Sequence, residues 1–465
     1  MTRSPRHSGV AGFGLSGDHL VAGSLALLGA ATLGVTTWIA YRSGGALLDA
    51  LRRPLSPTQT EALWTGLVAA NLMLLQVVLL ARLPWIERAW GRGVITRCHA
   101  VLGFASFWLM VTHVVLFAQQ RAARRPADIG SALLDLFVRE QHMLIATIGT
   151  VLVLVVTLSS MSGLRRRIRY EVWHLVHLWS YLAIGLVLPH ELVSVDFVDG
   201  WTTTYWWTLH LVPLCLVLVW RVGRPVHVTL RHRLRVEERV EETPGVVSLV
   251  MSGRALSRLP VSSGQFFLWR FSGPGWTRAH PYSLSRAPAP DTLRVTIGGT
   301  GDGAAAARRV QVGSAVAVEG PYGSLAPLRR RHPHLLLMAA GMGITPFRAI
   351  LEDSDVEPGE VTLIHRARSE AERLFADEIA VLAAQRGVRV VPLLGPRQEE
   401  WSFLPRSEVG TIDEPPDRAL VRLAPDLLSS DVYLCGPPRW TWGATQAARA
   451  AGVRRRDVHR EEFGW

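Results

Sequence analysis

The stretch HAVLGFASFWLMVTH, residues 99–113, is predominantly apolar and has a histidine at each end. A second apolar stretch is built in the same way, with His177 and His190 separated by 13 positions where His99 and His113 are separated by 14. In a helix each pair spans roughly 20 Å, at about 1.5 Å per residue. Ionisable side chains at membrane depth are costly, so they usually face the interior of a helix bundle and serve a function. The pattern therefore predicts two membrane helices that hold imidazoles at two matching depths.

Six apolar stretches are long enough to cross a bilayer. They cover residues 19–41, 61–83, 95–118, 143–162, 171–190 and 203–222. Arginines follow the second, fourth and sixth stretches, whereas the loop predicted at 191–200 has no arginine and carries Glu191, Asp196 and Asp199. Because cytoplasmic loops are usually basic, this pattern predicts a cell-membrane protein with a cytoplasmic N-terminus and C-terminal half. The arginines after the third stretch oppose this orientation without reversing it.

This orientation pairs the four histidines by depth. His99 and His177 lie near the cytoplasmic face and His113 and His190 near the outer face, so each pair can ligate the iron of one haem b. With two imidazoles on each iron no coordination position is open, which favours electron transfer over direct oxygen binding. His174 lies one turn before His177 on the same helix face and is a rival ligand. The alternative interpretation is that these histidines are buried polar residues bonded to backbone carbonyls, or interfacial residues.

The composition is typical of a membrane protein. Of the 465 residues 49% are hydrophobic, and the apolar residues concentrate before about residue 222. The net charge is +12, and every basic residue is arginine. Because these arginines cluster beside apolar stretches, contact with the lipid bilayer explains them better than nucleic-acid binding does. The three cysteines, Cys98, Cys215 and Cys435, are too scattered to indicate a disulfide framework or a zinc site.

The pattern changes after about residue 225. Short runs of alternating apolar and polar residues, broken by Gly, Pro and Ser, predict a small antiparallel β-barrel. The predicted strands are 226–230, 246–251, 265–271, 293–297 and 316–319. After about residue 333 strands alternate with helices, which predicts a parallel sheet with helices on both faces. These elements are strands at 335–340, 361–365, 388–393 and 431–435 and helices at 344–351 and 371–385.

The predicted organisation is therefore multi-domain. It comprises a cytoplasmic tail at 1–18, a six-helix transmembrane bundle at 19–222, a β-barrel domain at 225–328 and an α/β domain at 333–465. The first strand of the α/β domain is followed by a glycine-containing turn at 341–346. Together with the preceding Ala340, this stretch reads AGMGITP. Glycines at such a strand-to-helix turn let backbone N–H groups approach a phosphate.

Four motifs in the C-terminal half, in this order along the chain, resemble the ferredoxin–NADP reductase superfamily. The first is HPYS at 280–283 and the second is the glycine-rich run GGTGDGA at 298–304. In that superfamily the first motif contacts the flavin ring system and the second cradles the flavin pyrophosphate. The resemblance implies that FAD is held by His280, Pro281, Tyr282, Ser283, Gly301, Asp302, Gly303 and Ala304.

The third and fourth motifs are the turn at 341–346 and CGPP at 435–438, and they imply a nicotinamide cofactor. The resemblance implies that this cofactor is held by Gly341, Gly343, Ile344, Thr345, Pro346, Gly436 and Pro437, with Cys435 near the reactive carbon. Phe463 is the candidate for the near-terminal aromatic that stacks on the flavin, and Trp465 is either a second stacker or a core residue. Arg366 and Arg368 follow the second strand of this domain, where an arginine can pair with a 2′-phosphate, and they favour NADPH over NADH.

The membrane half resembles the ferric reductase-like transmembrane domain of NADPH oxidases and ferric-chelate reductases. The resemblance rests on the two histidine pairs and the stretch RRRIRYEVW at 165–173. Together the two resemblances imply an oxidoreductase that moves electrons from cytoplasmic NAD(P)H through FAD and two haems b to an acceptor at the outer face. A ferric chelate, oxygen and a partner protein are all compatible acceptors. The alternatives are a haem-free membrane-anchored flavin reductase that feeds a separate membrane enzyme, and a transporter whose histidines line a path.

Overall fold

The computed structural model describes residues 15–43, 57–90, 92–124, 130–131, 134, 143–194, 200–273, 276, 278–299, 301–323, 325, 331–353, 355–396, 402–405 and 414–462. The chain divides into two compact units, Met1–Val222 and Gly223–Trp465. The first unit is helical, and the second contains all the described strands.

The first unit consists mainly of long apolar helices. These are α1 (Leu15–Ser43), α2 (Pro57–Leu79), α4 (Arg92–Arg124), α5 (Met143–Ser160), α7 (Tyr170–Ser194) and α8 (Gly200–Leu216), with the short α3 (Pro84–Trp90) and α6 (Ser162–Arg165) between them. Six helices are long and apolar enough to cross a membrane, as the six stretches of the sequence predicted. Large apolar side chains such as Leu144, Leu175 and Leu182 are exposed on their outer faces. Such faces are the ones that a lipid surround would cover.

Each of the two helices that carry the predicted histidines packs along another helix, α4 along α2 and α7 along α5. Small residues permit this close approach, as they commonly do between membrane helices. A Cβ atom built on Gly149 would lie 2.7 Å from Cγ2 of Val187 and 3.1 Å from the carbonyl oxygen of Ala183. Between α1 and α2 the contact is polar, since Asn71 Nδ2 donates a hydrogen bond to Thr36 Oγ1 at 2.6 Å. These contacts fix the depth of each helix against its neighbour.

The predicted acidic loop at 191–200 begins too early. Helix α7 continues to Ser194, so Glu191 belongs to its last turns. Its carboxylate lies 3.1 Å from Nε2 of His210 on α8 and accepts a hydrogen bond from Nε1 of Trp206 at 3.2 Å. These partners on the next helix explain why an acidic residue is tolerated inside an apolar bundle. Asp196 and Asp199 lie outside the described residues.

The second unit opens with helix α9 (Arg224–His232), where the sequence predicted a strand at 226–230. That prediction was wrong because the alternation of apolar and polar residues there is also compatible with a helical stripe. Val228 and His232, one turn apart, are the buried residues of α9, and the helix packs against the strand Val316–Tyr322. Pro225 in the first turn favours the start of a helix.

Six strands follow and form two antiparallel sheets. They are β1 (Arg235–Thr243), β2 (Val246–Ser252), β3 (Phe266–Phe271), β4 (His280–Ser283), β5 (Thr292–Ile297) and β6 (Val316–Tyr322). The sheet orders are β1-β2-β5 and β4-β3-β6, and single bridges at Arg235–Ala315 and Leu284–Val295 connect them. Fully buried Leu249, Phe267 and Trp269 lie in the core between the sheets. The short helix α10 (Asp302–Ala307) follows β5.

The last domain is a parallel sheet of order β11-β10-β7-β8-β9. Its elements are β7 (His334–Ala340), α11 (Ile344–Asp353), β8 (Val361–Ala367), α12 (Ala376–Arg386), β9 (Arg389–Leu394), α13 (Pro416–Leu423), β10 (Ser430–Gly436), α14 (Pro438–Ala450) and β11 (Val458–Glu462). The helix predicted at 371–385 begins five residues later, because a 3-10 turn occupies Glu370–Glu372. Strand β11 was not predicted. The carboxyl ends of these strands form one edge, where ligands of such sheets bind.

Charged side chains join the barrel domain to the α/β domain. Arg294 of β5 is buried and donates two hydrogen bonds of 3.0 Å to Glu378 of α12. Arg348 of α11 lies 2.6 Å from the same carboxylate. Burial alone would raise the pKa of Glu378, but the two guanidinium groups outweigh it and hold this pKa below its usual value. The two domains of the second unit are therefore held in a defined arrangement.

Candidate functional site

The four predicted histidines come together as two pairs. The ring centroids of His99 and His177 are 6.0 Å apart, and those of His113 and His190 are 6.4 Å apart. An imidazole nitrogen lies about 2 Å from a metal that it ligates, and the ring centre lies ~1.1 Å beyond, so two imidazoles on one ion have centroids roughly 6 Å apart. Both pairs therefore fit a single iron between their rings.

Hydrogen bonds define which ring nitrogen is free in two of the four. His113 Nδ1 lies 2.7 Å from the carbonyl oxygen of Ala62, and because a carbonyl only accepts, Nδ1 carries the proton. His177 Nδ1 lies 3.3 Å from Oγ of Ser160, whose own proton is donated to the carbonyl of Val156 at 2.7 Å. Nδ1 of His177 must therefore donate as well. In both residues Nε2 is left unprotonated, as a metal ligand requires.

His174, the rival ligand, lies in a different environment. Its ring stacks on Tyr170 with a centroid distance of 5.8 Å and an interplanar angle of 5°. The ring that lies beside His99 is that of His177. The geometry therefore favours His177 as the partner of His99.

A cavity lies beside His113 and His190 inside the helical unit. Its lining is mainly apolar and includes Met73, Met110 and Val153, as expected of a pocket for a large flat cofactor. Glu191 and His210 also line it and form the buried pair described above. Sequence analysis left His210 unassigned because its partner lies on another helix.

The glycine at position 66 is required by the imidazole of His113. A Cβ atom built there would lie 2.5 Å from Nδ1 and 2.7 Å from Cε1 of that ring. If each histidine pair holds one haem b, as proposed below, Gly66→Ala should displace the ring and lower the haem content of the purified chain from two to about one per molecule, measured as the pyridine haemochrome. Gly34→Ala is the matched control, since a Cβ there meets no atom within 4 Å. Equal haem content in both variants would contradict this role for Gly66.

The flavin motif lies on β4 in the barrel domain. His280 and Tyr282 stack with a centroid distance of 6.0 Å and an interplanar angle of 20°. Burial raises the pKa of Tyr282, and burial together with Arg278 lowers that of His280, so both are neutral at pH 7. The hydroxyl of Ser283 is buried and has no hydrogen-bond partner among the described residues. An orphaned buried hydroxyl beside two aromatic side chains fits a missing polar ring system such as that of FAD.

The glycine-rich run approaches the same aromatic side chains. A Cβ atom at Gly303 would lie 2.5 Å from the hydroxyl of Tyr282 and 2.6 Å from Nδ1 of His280. Gly301 precedes the first turn of α10, and Asp302 accepts a hydrogen bond of 2.9 Å from Arg278. The first and second motifs are thus brought together, with Ala304 buried behind them.

The third and fourth motifs meet at the carboxyl edge of the parallel sheet. A Cβ atom at Gly343 would lie 2.0 Å from the carbonyl oxygen of Cys435, so only glycine fits there. Gly341 has φ +54°, and α11 follows with Ile344, Thr345 and Pro346 in its first turn. Gly436 ends β10 and Pro437 precedes α14. Gly343 of this turn is therefore needed for close packing against the Cys435 segment, in addition to any role of the turn in binding a phosphate.

The arginines predicted to read the 2′-phosphate are not equivalent. Arg366 lies within β8 and is buried, and its guanidinium donates to the backbone carbonyls of Ala367, Leu393 (3.2 Å) and Gly395 (2.6 Å). Three of its N–H donors are therefore committed to the protein, which makes Arg366 the weaker candidate for the 2′-phosphate. Arg368 follows the strand and is exposed. It is the stronger candidate of the two.

Glu461 is a site residue that sequence analysis did not single out. It pairs with Cys435 in the register of β10 and β11, and a Cβ at Gly323 would lie 3.3 Å from its Oε1. Burial raises the pKa of Glu461 to about 8, and burial followed by this carboxyl raises the pKa of the Cys435 thiol. The signal available in the sequence was an acidic residue two positions before Phe463. Phe463 and Trp465 themselves lie outside the described residues.

Comparisons with known proteins match the two halves separately. Residues 65–188 match the family model described as ferric reductase like transmembrane component, and residues 337–445 match the oxidoreductase NAD-binding domain. The ferredoxin reductase component of 3-ketosteroid-9-alpha-monooxygenase from Mycolicibacterium smegmatis is 34% identical over 242 residues, which cover 50% of this chain and 65% of that protein. The flavohemoprotein of Vibrio cholerae is 28% identical over 201 residues, 41% of this chain and 48% of its own length. The chain thus spans less than two thirds of the length of these curated relatives.

Among solved structures, the flavohem-like FAD/NAD-binding domain of a nitric oxide dioxygenase from Vibrio cholerae aligns with 50% of this chain and 99% of its own, at 25% identity and a TM-score of 0.41.

Proposed function

We propose a transmembrane electron-transfer function for this chain, which joins a ferric reductase-like transmembrane domain to an FAD- and NAD-binding oxidoreductase module. In this proposal NAD(P)H is oxidised at the second unit, and an acceptor on the other side of the membrane is reduced. The observation that carries it is the spacing of the two histidine pairs, each of which fits one iron. FAD would supply the change from two-electron to one-electron chemistry, and two haems b would supply the electron path through the bilayer.

The residues proposed for the haem sites would ligate the iron and keep water away from the haem. His99 with His177 and His113 with His190 are the proposed ligands, and His174 is left as the weaker candidate. The carbonyl of Ala62 and the hydroxyl of Ser160 fix the tautomers of their histidines. An apolar lining excludes water from the cavity beside the second pair, and a dry surround is one of the factors that set the potential of such a cofactor.

The residues proposed for the flavin and nucleotide sites would position the flavin and the nicotinamide cofactor. His280, Tyr282 and Ser283 offer two stacked rings and one free hydroxyl to a flavin. Gly303 leaves room for them, and Gly343 lets the Cys435 segment approach the first turn of α11. The contacts of Arg294 and Arg348 with Glu378 support this arrangement, because they hold the barrel domain against the α/β domain.

The proposed orientation has the second unit in the cytoplasm, as the arginine distribution predicts. Purified chain in lipid vesicles tests both direction and function. With NADPH added outside and an impermeant ferric chelate trapped inside, we expect trapped iron to be reduced by chains whose second unit faces outward. Reduction should depend on both haem pairs. NADPH oxidation with an unreacted internal chelate would instead support the haem-free anchored reductase.

Arg368 is proposed to set the preference for NADPH. A charge-assisted hydrogen bond is worth about 1.5–3 kcal/mol, so Arg368→Ala should raise KM for NADPH ~10-fold or more while KM for NADH is nearly unchanged. Arg389→Ala, at the opposite end of the neighbouring strand and also exposed, is the matched control. Steady-state kinetics with the two nucleotides measures the effect. An equal change for both nucleotides would show that Arg368 does not read the 2′-phosphate.

A further inference from the structure

A cluster of imidazole and carboxylate groups lies at the amino end of the parallel sheet, opposite the edge where the nucleotide motifs lie. His332 precedes β7, Asp431 lies at the start of β10, and Asp457 ends the 3-10 turn before β11. One donor atom from each of these three residues lies within 4.8 Å of the other two. Neither the proposed electron path nor the nucleotide site uses this cluster.

Each carboxylate in the cluster has one oxygen that is bonded to the protein and one that faces a histidine. Oδ2 of Asp431 accepts the backbone N–H groups of Arg331 (2.6 Å) and His332 (2.9 Å), and its Oδ1 lies 4.0 Å from Nε2 of His459. Oδ1 of Asp457 accepts from the Arg331 guanidinium at 3.4 Å, and its Oδ2 lies 3.3 Å from Nε2 of His332. Oδ2 of Asp457 is therefore directed toward His332 of the cluster, whereas Oδ1 of Asp431 faces His459, which lies beside the cluster.

The state of Asp431 is the observation that points to a ligand. Its side chain is fully buried, at 0% exposure, and Oδ1 has no hydrogen-bond partner among the described residues. A buried carboxylate oxygen without a partner is costly, since a carboxylate in a protein interior is normally paired or bound to a metal. The neighbouring Asp457 side chain is also buried, at 4% exposure.

We propose that His332, Asp431 and Asp457 bind a divalent first-row transition-metal ion of the zinc type. One imidazole and two carboxylates form a donor set that Zn²⁺ accepts. Asp431 supplies negative charge to the ion, in addition to Asp457, which also pairs with Arg331 and Arg456. Ligand atoms at about 2.0–2.2 Å from one tetrahedral ion lie roughly 3.3–3.6 Å apart, so the ion would draw the set closer by about 1 Å. The His332 side chain is 30% exposed and can make that movement.

The position of this metal site gives it a consequence for the redox centre. The three ligands come from the segments that begin β7, β10 and the edge strand β11. Glu461 lies near the far end of β11, opposite Cys435. A metal ion would therefore fasten the strand that carries Glu461, and its loss would loosen that strand from its amino end.

The test is Zn²⁺ binding to the full-length chain in detergent after treatment with a chelator. We expect His332→Gln and Asp457→Asn to weaken one Zn²⁺ site about 100-fold or more, because even partners of metal ligands contribute 10- to 100-fold to affinity. His227→Gln, an exposed histidine on α9, should bind as the wild type does. Equal Zn²⁺ affinity and stoichiometry in the wild type and His332→Gln would overturn the proposal, as would an equal loss in His227→Gln.

A second measurement separates lost binding from lost folding. Zn²⁺ should raise the thermal midpoint of the wild-type chain and of His227→Gln, and it should leave that of His332→Gln unchanged. Because His332 is partly exposed and glutamine is of similar size, this variant is expected to fold with the wild-type midpoint in the absence of metal. A Zn²⁺-dependent rise of equal size in His332→Gln would also overturn the proposal. Neither measurement depends on haem or flavin, so both remain decisive if the proposed function fails.

Discussion

His113→Ala is expected to leave the purified chain with about one haem instead of two, and His99→Ala should do the same at the other depth. The physical reason is that each pair, with ring centroids 6.4 Å and 6.0 Å apart, would hold one haem iron between its two imidazoles under the proposed function. Losing one nitrogen leaves the cofactor with a single protein bond in an apolar site. Haem per chain is measured by the pyridine haemochrome, with total protein by amino-acid analysis. Electron transfer to the acceptor in vesicles should fall to background in both variants.

His174→Ala is the matched control for this prediction. His174 occupies the same helix as His177 but stacks on Tyr170, so its loss should leave two haems in place. His177→Ala should remove one. If His174→Ala lost a haem and His177→Ala kept both, the assignment of the pair with His99 would be wrong. Two haems in His113→Ala would contradict the ligand assignment at the second pair.

The pairing of the histidines could be predicted because the thickness of a bilayer limits where the residues of a membrane helix can lie. A helix that must cross a bilayer has little freedom in where its residues lie, so equal spacing on two helices means matching depth. His210 could not be assigned in that way. Its partner Glu191 lies on the preceding helix, and the sequence placed Glu191 in a loop because the end of an apolar run does not mark the end of a helix.

Secondary-structure prediction from local sequence patterns was wrong where one pattern is compatible with two structures. It also missed a strand that is rich in charged residues. The alternation at 226–230 also suits a helix that buries Val228 and His232, and the packing on β6 decides between them. Strand β1 (Arg235–Thr243) is rich in Glu and Arg and has few buried residues, as suits its place at the end of its sheet. Strand β4 contains Pro281, which lowers any strand prediction.

Residue roles were harder to predict than elements. Arg366 and Arg368 look alike in the sequence, yet the first points its donors at three backbone carbonyls and the second is exposed. Residues two positions apart in a strand point to the same face, so the difference arises because β8 ends at Ala367 and Arg368 lies beyond it. Glu461 was missed for a related reason. Its neighbour Cys435 is 26 positions away, and only the pairing of β10 with β11 brings them together.

Glu461→Gln is expected to slow NADPH oxidation about 100-fold or more, which is the usual contribution of a positioned general acid. Reduction of FAD by hydride transfer also takes up a proton, and a neutral carboxyl beside the reacting groups can supply it. Glu461 is suited to this because burial raises its pKa to about 8, so most of the carboxyl is protonated at pH 7. Its Oε2 is buried and has no hydrogen-bond partner among the described residues. Glutamine keeps the shape and removes the transferable proton.

The pH dependence gives this prediction a second signature. In the wild type the rate should fall as the pH rises through about 8, because Glu461 then ionises, and the Gln variant should lack that decline. Stability should follow the same direction. Between pH 4.5, the usual pKa of a carboxyl, and about pH 8, the native state binds more protons than the unfolded state. The stability that the neutral carboxyl contributes is therefore complete below pH 4.5 and is lost as the pH rises through 8.

Both signatures can be measured on the same preparations. Stopped-flow reduction by NADPH between pH 6 and pH 9 gives the rate, and the midpoint of thermal unfolding over the same range gives the stability. Glu237→Gln, a fully analogous change at an exposed position of β1, should leave both curves as in the wild type. If Glu461→Gln kept the wild-type rate and its decline near pH 8, the proton would have to come from another group. In that case the buried carboxyl would only fill space between Cys435 and the Gly323 turn.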